Sequence, residues 1–372
     1  MPSLKKPAVV VALVLVTGLG LLLADSGPAH QVKQTPPVKL GTSGGNINNE
    51  SKRFCCSGTL GSLVTKGGLN YILSNNHILA DSDTATVGDP ISQSGLIDVN
   101  CNATQAQIVA NFSQAVKLGT GNVDAAIARV VNGEVDSSGA ILDVGVPAST
   151  PATINNTAIG RGVAKSGRTT GLTCATINAI NTNVKVQYQT SCNAGKKFTV
   201  TYTNQVLING STFSGGGDSG SLIVTSDTAQ PIALLFAGSS SDTIGNRISD
   251  VTSALGVSFV GGNTHSVSCP ASSQAAPVKQ HGHPSEAVHA RAHQAKEKHA
   301  ARLMSDPAVL AVGEGASETD PSEAVVVVYV EKGKKHGAIP AQLDGVRTRV
   351  VETDAFRAFG WNESQPRACA VK

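Results

Sequence analysis

Aromatic side chains make up only 3% of the 372 residues, and charged ones only 15%. Twenty-nine Lys and Arg against 26 Asp and Glu leave a formal net charge of +3. That field is too weak to make nucleic acid the main partner. The sequence has no Walker phosphate loop and no dinucleotide glycine fingerprint behind a strand-like run, which removes the common nucleotide-binding classes. It has no long-period repeat, so solenoids and propellers are excluded. Helical periodicity is nearly missing before residue 285, apart from Ile248–Leu255. No apolar run after Leu23 is long enough to span a membrane.

What remains is 40% hydrophobic residues with 39 glycines, and abundant Ser, Thr, Val and Asn. This composition builds β-structure with tight turns around a real core. Short strand-like runs recur from Ser51 to Val260, among them Gly58–Thr65, Asn70–Ser74, Gln107–Phe112, Ala125–Val131 and Ile232–Ala237. Even spacing of such runs predicts sandwich or barrel architecture rather than alternating β/α units, and the span has room for two small barrels.

Lys5 and Lys6 precede an apolar run from Ala8 to Leu23, followed by polar Asp25-Ser26-Gly27. Residues 1–29 are therefore expected to be an export signal, with a retained membrane anchor over 8–23 as the alternative. Residues 30–50 read as a linker, 51–260 as the β-rich domain, and 261–284 as a second linker. Ser285 is expected to cap a helix running to Met304, with three strand-like runs behind it, so that 285–372 form a small α+β module. Seven cysteines in an exported chain imply disulfides and leave at least one without an intrachain partner. Cys174 and Cys192 flank Ala175–Gln189, which reads as a hairpin, and are expected to pair. One of Cys55 and Cys56 is expected to reach Cys101, while Cys269 and Cys369 have no assigned partner.

Three residues stand out chemically. Ser219 sits in Gly215-Gly216-Gly217-Asp218-Ser219-Gly220-Ser221, where glycines let the chain turn sharply and aim backbone N–H groups at one point. A bland surface turn is the competing reading, and the apolar strand Leu222-Ile223-Val224 directly behind it argues against that. His77 ends the apolar run Tyr71–Leu73 and is the only histidine of the β-rich domain before His265. Asp124 leads into the apolar run Ala125–Ala128, where burial would let it orient an imidazole; Asp81 and Asp98 are rival acids. Nucleophile, base and orienting acid are what acyl transfer needs.

Around these residues Ser74-Asn75-Asn76-His77, Gly121-Asn122-Val123-Asp124 and Gly217-Asp218-Ser219-Gly220 resemble the trypsin/chymotrypsin superfamily, in the order His, Asp, Ser and at similar separations. Cys56-Ser57-Gly58-Thr59-Leu60 resembles the strand before the histidine loop. Lys165-Ser166-Gly167-Arg168-Thr169-Thr170-Gly171-Leu172-Thr173-Cys174 is similar to the opening of the second barrel in streptogrisin-like members, and the serine and histidine segments also resemble a bacterial and plant branch. The resemblance covers about Cys56 to Phe259. It implies a mainly β, chymotrypsin-like fold of two antiparallel six-stranded barrels with the triad His77, Asp124, Ser219 between them. It also implies an oxyanion hole from the N–H groups of Gly217 and Ser219, a serine endopeptidase acting on protein or peptide through an acyl-enzyme, and no cofactor or metal. The alternative is a silent peptide-binding module on the same fold.

The sequence also departs from the family. No Ile-Val-Gly-Gly activation terminus is present, so Asp218 lacks the family's usual N-terminal partner. Phe213 stands where trypsin-like specificity places an acid, which argues against a preference for Arg or Lys. Phe213, Ser214 and Gly238 are expected to line a pocket for small or apolar side chains. His289 and His293, with His281, His283 and His299 nearby, are expected to lie on a solvated helix face rather than to bind zinc. Regulation of the protease in cis, assisted folding and substrate recruitment all stay open for the C-terminal module.

Overall fold

The computed structural model describes residues 29–192, 194–270, 284–320 and 322–358. The expected signal or anchor segment up to residue 28, His281, His283 and Cys369 lie outside the described residues. Among the described residues no helix is long and apolar enough to cross a membrane.

The first half of the chain supplies β1 (Thr42–Asn46), β2 (Gly58–Leu60), β3 (Ser62–Lys66), β4 (Leu69–Ser74), β5 (Pro90–Gln93), β6 (Gln107–Ala115) and β7 (Ala126–Val130). They pair antiparallel in the order β3-β4-β7-β6-β5-β1-β2. Only Gly61 separates β2 from β3, so the two behave as one bent strand and the sheet curls into a six-membered ring. Its apolar residues, such as Leu60, Leu63, Ile72, Ile91, Val109 and Ile127, belong to one buried cluster. The segment 30–50, expected to be a linker, instead provides β1, with Val38 and Leu40 fully buried in that cluster. Its Pro, Gly and Asn content reflects tight turns around a short strand rather than an exposed tether.

The second half contributes β8 (Gly162–Gly167), β9 (Gly171–Ser191), β10 (Ala194–Asn209), β11 (Leu222–Thr225), β12 (Pro231–Gly238) and β13 (Asp242–Arg247). The order β10-β13-β12-β11-β8-β9, with β9 also pairing β10, closes a second antiparallel ring. The expectation of a mainly β fold with two antiparallel barrels is met. Helix α2 (Ile248–Leu255) then returns the chain to β14 (Ser258–Phe259), which pairs β3 of the first barrel.

Strand β9 organises the rest. One edge pairs β10, while the other pairs β8 first and then β15 (Val309–Ala316). Behind β15 come β16 (Ala324–Glu331), β18 (Val346–Thr353) and the short β17 (Gln342–Leu343), so the C-terminal strands extend the second barrel's sheet. Helix α3 (Glu286–Met304) covers them, and its N-cap Ser285 accepts a hydrogen bond from Val288 N as expected. Ala295, Ala300 and Leu303 of α3 pack on Val312, Val326 and Val328. Lys185 of β9 donates to the carbonyls of Met304, Asp306 and Val309, satisfying the free end of α3.

The histidines of α3 are not all on a solvated face, contrary to expectation. His289 and His293 lie 3.0 and 2.7 Å from the carboxylate of Glu314, a fully buried residue of β15. Burial raises the Glu314 pKa, but the close His289 imidazole and hydrogen bonds from Asn181 and His293 outweigh it and hold the carboxyl below its ordinary range. Among the described residues no group of three or more His, Cys, Asp or Glu is arranged to hold a metal ion.

Three disulfides form: Cys55–Cys101, Cys56–Cys192 and Cys174–Cys269. The Cys55–Cys101 link is as expected. The Cys174–Cys192 pairing is wrong, because Ala175–Gln189 is part of one continuous strand of 21 residues rather than a hairpin. At about 3.3 Å per residue that strand separates the two cysteines by up to about 60 Å, against a limit of about 7 Å between the Cα atoms of a disulfide. Cys56–Cys192 pins the far end of β9 to the first barrel. It closes a span of 136 residues, so replacing both cysteines by Ala should lower unfolding free energy by about 2–5 kcal/mol in urea titrations.

Candidate functional site

His77 lies in the single turn α1 (Asn76–Leu79), which follows β4 directly. Asp124 sits two residues before β7, the neighbour of β4 in the sheet. Pairing of β4 with β7 thus brings the two residues together, and His77 Nδ1 stands 2.6 Å from Asp124 Oδ2. The His77 backbone N–H also donates to Asp124 Oδ1, and Asn75 Nδ2 donates to the Asp124 carbonyl. Both side chains are buried: His77 is 1% and Asp124 0% exposed. His77 Nε2 is buried with no hydrogen-bond partner among the described residues. An orphaned ring nitrogen costs about 1–3 kcal/mol, and such costs are retained where a group has a further task.

Ser219 lies in the turn between β10 and β11 and is fully buried. Thr59 N of β2 donates to the Ser219 carbonyl at 2.8 Å, while Gly220 N donates to Leu235 O and Leu235 N to Ser221 O. The turn is therefore fixed to both barrels. A Cβ on Gly58 would strike both the Ile78 side chain and the Ser219 carbonyl, so the serine turn packs beside the residue that follows His77. Gly217 and Gly220 have φ of +99° and +93°, a region that L side chains rarely adopt. A Cβ on Gly220 would also meet Thr59 O at 2.2 Å.

Asp218 finds a cation inside the chain. Its Oδ2 lies 3.5 Å from Lys165 Nζ of β8, and both side chains are fully buried. The carboxylate further accepts from the N–H groups of Thr169, Thr170 and Gly215 and from the Thr170 hydroxyl. Burial depresses the Lys165 pKa, and the Asp218 charge opposes that shift. Lys165 thus gives Asp218 a buried cationic partner from within the chain.

The rival acids are engaged elsewhere. Asp98 holds Arg168 through two hydrogen bonds of 2.6 and 2.7 Å, tying the second barrel's first turn to the first barrel. Asp81 bonds Thr84, and burial raises its carboxyl pKa to about 6.

Of the expected pocket residues, Ser214 Oγ bonds Thr243 Oγ1 at 2.5 Å, and Thr243 is the register partner of Gly238. Ser214 and Gly238 are thus neighbours. Phe213 is not with them at an open pocket: it is 1% exposed, packed in the second barrel's core, with Lys165 Nζ 5.9 Å from its ring centroid. Its apolar ring is better accommodated among Ile177, Ile208 and Leu235 than at a solvated surface.

Sequence reasoning missed two second-barrel residues that hold Asp124. Tyr188 of β9 places its hydroxyl 2.9 Å from Asp124 Oδ2. Because a carboxylate only accepts, Tyr188 donates to it and accepts in turn from Tyr202 of β10 at 2.9 Å. Asn246 of β13 accepts the Asp124 backbone N–H and donates to Gln205. The only sequence signal was a pair of tyrosines in an aromatic-poor chain. Burial, then the Asp124 charge, drives the Tyr188 pKa well above its ordinary 10.0; burial does the same for Tyr202.

No protein-family model and no curated protein matches the chain. Solved structures do. A glutamic acid specific serine protease matches with 21% identity and a TM-score of 0.42, over 60% of this chain and 100% of that one. Thermobifida fusca Protease A matches with 18% identity and a TM-score of 0.41, over 60% and 99% of the two chains. Cellulomonas bogoriensis chymotrypsin does so with 17% identity and a TM-score of 0.39, over 60% and 99%. The likeness lies in the fold.

Tyr188→Phe should cost about 2 kcal/mol, since it removes a hydrogen bond to a charged group and strands the Tyr202 hydroxyl. Tyr202→Phe should cost less, and the double variant less than the sum. Both phenols titrate at higher pH folded than unfolded, so their contribution is complete below pH 10 and lost above it. The double variant should therefore lose less stability between neutral and strongly alkaline pH, as read from urea midpoints.

Proposed function

We propose that the protein is an exported serine endopeptidase in which Ser219 attacks a peptide carbonyl. The observation that carries this reading is the buried His77–Asp124 pair with its unsatisfied Nε2, set beside a glycine turn that bears a serine. His77 Nε2 takes the hydroxyl proton as the Ser219 Oγ–carbon bond forms. Asp124 holds the imidazole in the tautomer that leaves Nε2 ready to accept, and it stabilises the imidazolium that results. The N–H groups of Gly217 and Ser219 receive the developing oxyanion; one such donor is typically worth about 3 kcal/mol of transition-state stabilisation. His77 returns the proton to the leaving amine, and water then releases the acyl-enzyme along the reverse path.

Ser214, Thr243 and Gly238 form the wall of the proposed primary pocket. These three residues are themselves small and uncharged, which favours small or apolar substrate residues. Three disulfides fit an oxidising compartment. We also assign the C-terminal module, 285–372, a role in cis at this site, because its strands continue the sheet that carries Tyr188.

A fluorophosphonate should label wild-type protein at Ser219, and Ser219→Ala should abolish both labelling and peptide hydrolysis. His77→Ala and Asp124→Asn should each lower kcat by about 10⁴-fold. Folded wild-type protein that resists the probe, yet binds peptide as well as Ser219→Ala does, would instead be a silent binding module.

A further inference from the structure

The turn Arg168-Thr169-Thr170 joins β8 to β9 and lies against the serine turn. Thr169 N and Thr170 N both donate to Asp218 Oδ1, at 2.8 and 3.2 Å. The same turn also reaches the glycines in front of Asp218. Thr169 Oγ1 stands 2.5 Å from the carbonyl oxygen of Gly216 and 3.1 Å from Arg168 Nη1. A guanidinium only donates, so the Thr169 oxygen accepts from Arg168 and its proton goes to Gly216 O. The Arg168 backbone N–H donates to Thr59 Oγ1 at 3.0 Å, and that hydroxyl donates to Gly217 O, also at 3.0 Å. Arg168 in turn is gripped from the first barrel. Its Nε and Nη2 donate to the two oxygens of Asp98, which also accepts from the Ser43 hydroxyl. Each side chain of that pair is only 7% exposed. A guanidinium forked onto a carboxylate is fixed in plane as well as in position.

These contacts bear on the backbone proposed to face the oxyanion. In a planar trans peptide the C=O and N–H point in opposite directions. The Gly216 carbonyl shares its peptide with the Gly217 N–H, so whatever holds that oxygen aims that N–H. The Ser219 N–H shares its peptide with the Asp218 carbonyl, which accepts from Ser221 Oγ at 2.6 Å and from Ser221 N at 3.0 Å. The two donors are thus aimed by different means: Ser219 by its own turn, Gly217 by a side chain from the β8–β9 turn. Gly215, Gly216 and Gly217 stand in sequence, and glycine has little torsional preference of its own to hold the peptide one way up. A Cβ on Gly217 would lie 2.5 Å from Thr169 Oγ1 and 2.8 Å from Arg168 Nη1. Its lack of a side chain is what admits the two.

We propose that Thr169 is a positioning residue for the oxyanion hole. Its hydroxyl holds the Gly216–Gly217 peptide with the Gly217 N–H toward the reacting carbonyl, and Arg168 and Asp98 hold the hydroxyl. This rests on the reading of Ser219 as the nucleophile. Thr169 acts through the peptide rather than on the substrate. Because Asp98 belongs to the first barrel and Thr169 to the second, the donor is aimed only when the barrels are docked. Its contribution is made where charge develops on the carbonyl oxygen, and ground-state binding of a peptide does not draw on it.

The test compares Thr169→Val and Thr169→Ser with wild type in steady-state peptide hydrolysis. Valine has the shape of threonine without the hydroxyl. Thr169→Val should lower kcat by about 10- to 100-fold, less than outright loss of an oxyanion donor, with KM within about twofold of wild type. Affinity for a peptide boronate, which forms a tetrahedral adduct with the serine, should fall by the same factor as kcat/KM. Thr169→Ser, which keeps the hydroxyl, should restore both. Should urea titration show that Thr169→Val does not fold, Arg168→Lys reads the same chain of contacts. It keeps a cation on Asp98, loses the second donor to Thr169, and should lower kcat with KM unchanged. Wild-type kcat in either folded variant, a loss confined to KM, or a Thr169→Ser enzyme as slow as Thr169→Val overturns the inference and leaves Ser219 as the nucleophile. A wild type that neither hydrolyses peptide nor takes the fluorophosphonate removes that reading and this inference with it.

Discussion

One buried carboxylate joins the two barrels. Asp124 Oδ2 accepts from His77 of the first barrel and from Tyr188 of the second, and the Asp124 backbone is held from both sides by Asn75 and Asn246. An isolated carboxylate in that position would be intolerable, because removing its hydration costs far more than one hydrogen bond returns. Hydrogen bonds to a charged acceptor contribute about 1.5–3 kcal/mol each. The imidazole alone does not satisfy the group, which is why two tyrosines from a distant hairpin are drawn in. The dependence runs the other way as well. Tyr188 and Tyr202 can be buried so deeply only because a carboxylate accepts their chain of hydroxyls.

The β9/β10 hairpin makes this possible. It is far longer than a barrel wall requires, and its far end is tied back to the first barrel by Cys56–Cys192. Phe198 stacks on Tyr188 with centroids 5.5 Å apart, so the tyrosine is fixed by packing as well as by its hydroxyl. The same length of β9 offers an edge beyond the reach of β8, and β15 occupies it. Residues 285–358 are consequently part of the second barrel's sheet in packing terms. Lys185, Asn178 and Asn181 of β9 bond the C-terminal elements in several places.

The serine turn is held by a second buried pair. A charge pair such as Lys165–Asp218 contributes little net stability once desolvation is counted. What it fixes is geometry: four N–H or O–H donors converge on Asp218, and Gly217 and Gly220 beside it keep positive φ. With the cation supplied by Lys165 of β8, the Asp218 carboxylate is paired within the second barrel itself.

Much of this was legible in the sequence. Apolar runs between glycine-rich turns marked several strands of both barrels, among them β4, β6, β7, β11 and β12, because strand identity is largely set by local pattern. Helices Ile248–Leu255 and Glu286–Met304 were visible from their periodicity and from Ser285 as a cap. His77, Asp124 and Ser219 stood out because acyl transfer draws on particular residue types, and the fold does bring His77 onto Asp124. The partners of a strand were not legible. Nothing local in Cys174 says that it meets Cys269, or in Tyr188 that it meets Asp124, since both depend on how far β9 runs before it bends back. The linker reading of 30–50 failed for the same reason: a short strand rich in turn residues becomes core only when β2 and β5 flank it. Sequence alone determined many of the strand segments and which side chains have chemistry to offer, because backbone propensity and functional groups are local properties. Tertiary structure decided which of those groups share a dielectric and which edges meet, because burial and hydrogen-bond satisfaction are properties of the assembled sheet.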